Sequence, residues 1–280
     1  MSDEALVLED DPRPFVRRVT LNRPEKRNAR SNPLRGAMFV ALERADRDDE
    51  VRGIVLRGAG KCCSAGYVLG MDSRKEQPYF SSSGDGFWPR HVVEGAFKIW
   101  DLAKPVIAQV HGYCLAGGSE LMSACDLVYV SDDAQIGYPP VRLMSPPDNQ
   151  FHVWLAGFRN AMELMLTGDS VDGEEAVRMG LANRCYPLAE LEDTVLEKAE
   201  RIAKVPPDLQ QLNKRSIHRA MEIQGARAAI RSGTEIQALA FHQRSSREYL
   251  KEFAKGVTHA LDKRDAQFGD YRTRDKGENS

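Results

Sequence analysis

Two short stretches of small residues are the first to suggest chemistry. Ser64-Ala65-Gly66 leads into Tyr67, and Ala116-Gly117-Gly118 follows later. Each comes after an apolar run that reads as a buried strand, Ile54 to Leu56 in one case and Pro105 to Val110 in the other. Both places share the order strand, glycine turn, cysteine, small residues, Ala-Gly, at a spacing of roughly fifty residues, the mark of a weak internal repeat. Glycine lets a backbone approach a ligand closely, and the first turn of a helix leaves its N–H groups without intrahelical acceptors. Backbone amides at Tyr67 and Gly117 pointed at one carbonyl oxygen would form an oxyanion hole. The same residues would equally serve tight turns and close packing, and spacing alone leaves both readings open.

Other chemistries fit less well. A serine nucleophile elbow needs G-x-S-x-G, whereas Cys62-Cys63-Ser64-Ala65-Gly66 begins with cysteine and lacks a helix signal after it. Gly58-Ala59-Gly60 has Cys63 where a dinucleotide-binding loop needs its third glycine, and no G-x-x-x-x-G-K-[ST] occurs. His91, His111, His152, His218, His242 and His259 are too scattered for two on one helical turn, and the five cysteines form no C-x-x-C pair. No metal site and no disulfide framework is expected.

The elements that must position these loops alternate in type. Phe15 to Leu21 reads as a strand stopped by Asn22-Arg23-Pro24. Asn32 is a candidate cap for a helix whose first residue is Pro33 and whose apolar face runs through Leu34, Met38, Ala41, Leu42 and Ala45. Arg52 to Arg57 is a buried strand, and Ser73 to Arg90 reads as a surface loop with unusually apolar residues, Tyr79, Phe80, Phe87 and Trp88, suited to closing over a ligand. Val92 to Leu102 has helical periodicity, and Leu127 to Val130 is a further strand. From Asn160 the pattern is almost wholly helical: Ala161 to Leu166, Gly173 to Met179, Leu188 to Lys204, Leu209 to Ile223 and Ala226 to Leu250. Strands first and helices later make an α/β chain of α+β layers. The expected division is a core over 1–200 and a helical region over 201–280, whose apolar stripes need a partner on the first layer or on a neighbouring subunit.

Composition bounds the rest. The chain has 280 residues, 42% hydrophobic, enough for a sizeable core. Thirty-nine Lys and Arg against 41 Asp and Glu leave a net charge of −2, so no basic field exists to hold a nucleic acid. No apolar run approaches the length of a membrane-spanning helix, and the acidic start has no signal-peptide pattern, which leads us to expect a cytoplasmic protein.

Thr20-Leu21-Asn22-Arg23-Pro24 with Asn28-Ala29, Ser64-Ala65-Gly66, Lys104-Pro105-Val106-Ile107 with Gly112, Ala116-Gly117-Gly118-Ser119-Glu120-Leu121, and Cys125-Asp126 resemble, in that order, the crotonase (enoyl-CoA hydratase/isomerase) superfamily. Ala134-Gln135-Ile136-Gly137, Leu166-Thr167-Gly168, Gly180-Leu181 and Lys263-Arg264 with Phe268 extend the resemblance over roughly residues 15 to 270. It implies a spiral of ββα units with a C-terminal helical trimerisation region, assembly as a homotrimer or dimer of trimers, and an acyl-CoA thioester as ligand, with coenzyme A part of the substrate and no other cofactor. It assigns the oxyanion hole to the amides of Tyr67 and Gly117. It also places Lys26, Arg27, Ala29, Ala65, Val68 and Leu69 along the coenzyme A path, with Lys263 and Phe268 at its adenosine end.

By the same resemblance Glu120, three residues after Gly117, is the proton-transfer carboxylate. The family's second glutamate is missing, because Pro140 stands in its place. Asp148 lies near the position where members with other chemistries carry an aspartate; it is either a replacement acid or a helix cap. His152 is a reserve candidate. Tyr67 stands where a small residue is usual, and Tyr67, Tyr113, Tyr138, Phe151 and Trp154 are either an aromatic acyl lining or core. The leading expectation is an enoyl-CoA hydratase or isomerase that stabilises a thioester enolate. A crotonase using Asp148 for hydrolysis, carbon–carbon cleavage or dehalogenation is the alternative, and a non-catalytic acyl-CoA-binding protein is another.

Overall fold

A computed structural model describes residues 5–69 and 87–269. The chain runs β1 (Val7–Arg13), β2 (Val16–Leu21), α1 (Asn32–Arg47), β3 (Gly53–Gly58), α2 (Phe87–Asp101), β4 (Val106–Val110), β5 (Tyr113–Leu115), α3 (Gly117–Ser123), β6 (Leu127–Ser131) and β7 (Gln135–Gly137). It continues through α4 (His152–Thr167), β8 (Ser170–Val171), α5 (Gly173–Met179), β9 (Arg184–Tyr186), α6 (Leu188–Ala203), α7 (Pro207–Ile223), α8 (Ala226–Phe241), α9 (Arg244–Glu252) and α10 (Val257–Asp265). Six strands form one sheet in the order β1-β2-β3-β4-β6-β9, and a second sheet has the order β5-β7-β8. Within the large sheet β1 is antiparallel to β2 and the other pairs are parallel.

Continuous apolar runs explain the central strands: every residue of β4 is buried, as a parallel strand covered on both faces requires. On one face, α1 and α2 pack Leu34, Leu42, Phe97 and Trp100 against Val19, Ile54 and Val106. On the other, Leu191, Val195 and Ala199 of α6 cover Val16, Val55, Ile107 and Tyr129. Ala226 and Ile230 of α8 belong to the first of these cores, so the late helices dock on the first layer.

Several local expectations are corrected. The acidic start contains β1, held to β2 by Arg17–Asp11 and Arg18–Asp10 ion pairs, with Arg44 of α1 reaching Glu9. Ser31, not Asn32, caps α1: its side chain accepts the Leu34 amide at 3.3 Å. Most of the expected loop over Ser73 to Arg90 lies outside the described residues, but its last four residues are the first turn of α2. The single helix expected over Ala226 to Leu250 is two, α8 and α9, parted at His242 and Gln243; within α9, Ser246 bonds Met144 O at 2.6 Å and Tyr249 is buried. Strands β5, β7, β8 and β9 are two or three residues long and carry no readable period.

Asp126, just before β6, ties the layers together. Its carboxylate accepts from Val106 N at 2.7 Å and Lys214 Nζ at 2.8 Å, and lies 3.2 Å from His218 Nε2 on the same helix, α7. Asp126→Leu leaves a β4 amide without its acceptor and the half-buried Lys214 ammonium with only the Lys104 carbonyl, 3.1 Å away. It is expected to cost about 3 kcal/mol in urea unfolding; a loss below about 1 kcal/mol would show that α7 is held by its apolar face alone.

No described helix is long and apolar enough to cross a membrane. Among the described residues no group of three or more His, Cys, Asp or Glu stands close enough to hold a metal ion.

Candidate functional site

The two small-residue loops meet. Ser64 forms an isolated parallel bridge with Cys114, Ser64 N donates to Tyr113 O at 3.0 Å, and Leu115 N donates to Ser64 O at 3.0 Å. This lays the segment before Tyr67 along β5 and the entry to α3. Gly66 has φ +107°, and a Cβ there would sit 3.0 Å from Ala116 Cβ and 3.3 Å from Gly117 N. Only glycine takes that conformation and that proximity without strain. Ala116 itself is held at φ +51° as the residue before α3, an outlier of the kind that clusters at functional sites. Gly117 opens the helix, where an N–H has no intrahelical acceptor.

Asn28 builds the neighbouring wall. Fully buried at φ +51°, it accepts from Arg23 N at 2.9 Å and donates to Ala59 O at 2.8 Å and Cys62 O at 2.9 Å. Next to it Ala65 N donates to Arg27 O at 2.9 Å. Asn28→Ala strands the buried Cys62 carbonyl, the half-buried Ala59 carbonyl and the Arg23 amide, and puts alanine in a left-handed conformation that it resists, an expected loss of about 3 kcal/mol by urea titration. KM for an acyl-CoA should rise with it; an unchanged KM would separate this loop from ligand binding.

Glu120 and Asp148 come together under these loops, each 1% exposed. Glu120 Oε1 accepts from Asn149 N at 3.1 Å. Burial raises its pKa above the ordinary carboxylate value, opposed by the Arg30 guanidinium, the Asn149 amide and the Tyr67 phenol. Asp148 is pushed well above that range, first by burial and then by the Glu120 charge. Gln237 of α8 donates its Nε2 hydrogen to Asp148 Oδ2, while Oδ1 has no hydrogen-bond partner among the described residues. Asp148 does not cap α4, whose preceding residue is Phe151 with no capping side chain. Helix α8 lies directly on this segment: a Cβ on Gly233 would stand 2.6 Å from Asp148 O.

Tyr67 is half-buried and carries two guanidinium groups against its ring, Arg30 4.3 Å and Arg35 5.3 Å from the ring centre. Arg30 Nη2 donates to Gly117 O. Burial lowers the Arg35 pKa to about 10 and raises that of Tyr67. His152 bonds Gln150 Oε1 at 3.1 Å, and burial lowers its pKa to about 4, which keeps the ring neutral.

Glu120 borders a small void behind the Tyr67 ring, whereas in front of Asp148 opens a cavity of about 320 Å³ whose wall includes Arg27, Ala65, Tyr67, Val68, Leu69, Tyr113, Tyr138, Pro140 and Gln237. Lys26 and Ala29 stand in the loop behind it and do not border it. Lys263 instead binds Glu252 Oε1 at 2.8 Å, and Phe268 lies under the Arg142 guanidinium, 3.9 Å from its ring centre; the C-terminal residues that do border the cavity include Leu250, Leu261 and Arg264. Of the five aromatic candidates, Tyr67, Tyr113 and Tyr138 line the cavity, while Phe151 and Trp154 pack with the α1–α2 core.

The enoyl-CoA hydratase/isomerase family model matches residues 14–272. This chain belongs to the enoyl-CoA hydratase/isomerase family. It is 30% identical to the mitochondrial enoyl-CoA hydratase of Pongo abelii, over 90% of this chain and 83% of that one. It is 32% identical to the hydroxycinnamoyl-CoA hydratase-lyase of Pseudomonas fluorescens, over 73% and 75%. Its fold is similar to the crystal structure of an enoyl-CoA hydratase from Mycobacterium smegmatis, with a TM-score of 0.86 at 28% identity, covering 96% of each chain. An enoyl-CoA hydratase/isomerase from Xanthobacter autotrophicus Py2 gives 0.84 at 30% identity, covering 94% of this chain and 98% of that one. The chain is therefore an enzyme of the hydratase/isomerase class with the crotonase fold.

Sequence reasoning missed Arg30, Arg35 and Gln237. Gln237 had a readable signal: on α8 the buried set Ala226, Ile230, Gly233, Thr234 and Gln237 follows the helical period, and a glutamine on an inward face needs a polar partner.

Proposed function

We propose that this family member hydrates an enoyl-CoA, with Glu120 as base and Asp148 in the role that Pro140 cannot fill. The observation that supports the reading is the unequal surrounding of two adjacent buried carboxyls. Glu120 faces Arg30 and amide donors that favour its anion, whereas Asp148 is the group that holds its proton. Because Gln237 takes Asp148 Oδ2, the proton resides on Oδ1, the oxygen left for a ligand.

The thioester oxygen is bound by the Tyr67 and Gly117 amides. Glu120 removes a proton from water as the water oxygen bonds to the β-carbon. The double-bond electrons move to the α-carbon and on to the thioester oxygen as an enolate, held by the two amides. Asp148 O–H then protonates the α-carbon, giving a 3-hydroxyacyl-CoA, and the proton gained by Glu120 passes to Asp148 before the next turnover. No cofactor beyond the coenzyme A of the substrate is required.

The test follows loss of the conjugated enoyl absorbance with crotonyl-CoA and identifies the 3-hydroxyacyl product by mass. Free thiol released from a saturated thioester, with no hydration, would replace this reading with the hydrolytic one. Binding of both thioesters without turnover would leave only an acyl-CoA-binding protein.

We further infer assembly as a trimer. Phe158 and Leu166 on α4, Ile217 and Ile223 on α7, and Ile236 and Leu239 on α8 are exposed apolar residues that a partner subunit would cover.

A further inference from the structure

Resting on the enoyl-CoA reading above, we propose that Tyr67 partitions the acyl end of the site, so that the substrates are thioesters of short acyl groups, of about four carbons. Among the described residues Tyr67 alone borders both the large cavity and a small void behind its ring. The large cavity measures about 320 Å³; the void measures about 10 Å³, room for at most a single water. One side of this slot is apolar, made by Phe39 of α1, Val92, Ala96 and Ile99 of α2, and Leu121 and Ala124 of α3; Arg30, Arg35, Glu120 and Asn149 make the other. Glu120 borders this void and, unlike Asp148, not the large cavity, so the reacting carbons sit at the partition itself and a longer chain would continue into the slot. The tyrosine ring blocks it.

The ring is not placed to swing aside easily. It lies over Gly117 so closely that a Cβ there would meet its Cε2 and Cδ2 at 2.5 and 2.6 Å. Arg30 and Arg35 stack on it in a desolvated setting where cation–π attraction is strongest. Arg30, itself 6% exposed, is pinned in turn by the Gly117 carbonyl. Moving the ring would uncover two buried guanidinium groups, and an aliphatic tail offers them nothing in return.

The experiment measures affinity for saturated thioesters, butyryl-, hexanoyl-, decanoyl- and 3-phenylpropanoyl-CoA, by calorimetry, and so does not depend on turnover. The wild-type chain is expected to bind butyryl-CoA at least tenfold more tightly than decanoyl- or phenylpropanoyl-CoA. Tyr67→Ala opens the slot and reverses the order, with a gain of about fourfold for each methylene newly buried. Tyr67→Phe keeps the ring and the wild-type order. Decanoyl- or phenylpropanoyl-CoA bound by the wild type as tightly as butyryl-CoA would overturn the proposal, and that result stands even if Tyr67→Ala does not fold. An unchanged order in a folded Tyr67→Ala would overturn it too. Absence of hydration alongside the expected affinity ladder would instead remove the catalytic reading and leave the partition in place.

Discussion

Replacing Glu120 with glutamine is expected to lower kcat/KM for crotonyl-CoA by about 10²- to 10⁴-fold while leaving the affinity for butyryl-CoA within about threefold of the original. Glutamine keeps the shape of the side chain and retains an oxygen to accept the Asn149 amide, which donates at 3.1 Å. It removes the carboxyl that the proposed mechanism uses as the base. Arg30, the Asn149 and Asp148 amides and the Tyr67 phenol all oppose the effect of burial on Glu120. Burial still dominates, so the base becomes protonated at a pH above 4.5, the ordinary value for a glutamate, and activity falls as pH drops through that raised value. The glutamine variant should lose this acid limb along with its rate. Residual activity within tenfold of the original, with the acid limb intact, would mean that another group abstracts the proton. Asp148 would then be the first suspect, since it is the neighbouring buried carboxyl and the Glu120 charge helps raise its pKa.

What the sequence discloses about this fold depends on how local the causes are. Strands β3, β4 and β6 are runs of apolar residues buried on both faces, and α1 and α6 have clear apolar stripes; these are visible without neighbours. Strand β1 is not, because Glu9, Asp10 and Asp11 make it look like a solvated leader until Arg44, Arg18 and Arg17 are seen to bind them. The break between α8 and α9 contains neither glycine nor proline, and α9 beyond it is tied by the Ser246 bond to Met144, 102 residues away. The candidate site divides in the same way. Gly66 and Gly117 announce themselves as small residues after strands, whereas the role of Glu120 comes from the family resemblance, since a glutamate in a first helical turn is otherwise ordinary. Asp148 is readable only through a family resemblance, and only as one of two possibilities. Arg30 reaches Gly117 across 87 residues, so nothing nearby in the chain marks it; Gln237 shows only as a polar residue on the buried face of α8, and its partner Asp148 lies 89 residues away.

Asp148→Asn should cost activity and add stability, a combination that a purely structural aspartate would not give. The kcat/KM for crotonyl-CoA is expected to fall by about 10²-fold or more, since an amide holds its hydrogens too tightly to protonate the α-carbon. The alkaline limb of the pH profile, where Asp148 loses its proton, should disappear. Stability moves the other way. The folded chain binds the Asp148 proton more tightly than the unfolded chain, whose carboxyl stays near the ordinary 3.8, so the wild type loses stability as pH rises from about 4 through the raised folded value. Asparagine does not titrate. It keeps an oxygen to accept the Gln237 hydrogen and fills the same space beneath Gly233. The difference in unfolding free energy between variant and wild type should therefore be smallest below about pH 4 and widen in favour of the variant toward neutral pH. Such a trade is expected where a buried acid is retained for chemistry at the expense of the fold. Urea unfolding at pH 4 and pH 7.5 reads it directly: a variant less stable than the wild type at both values would make Asp148 a member of the scaffold, and the second proton-transfer group would have to be sought elsewhere on the cavity wall.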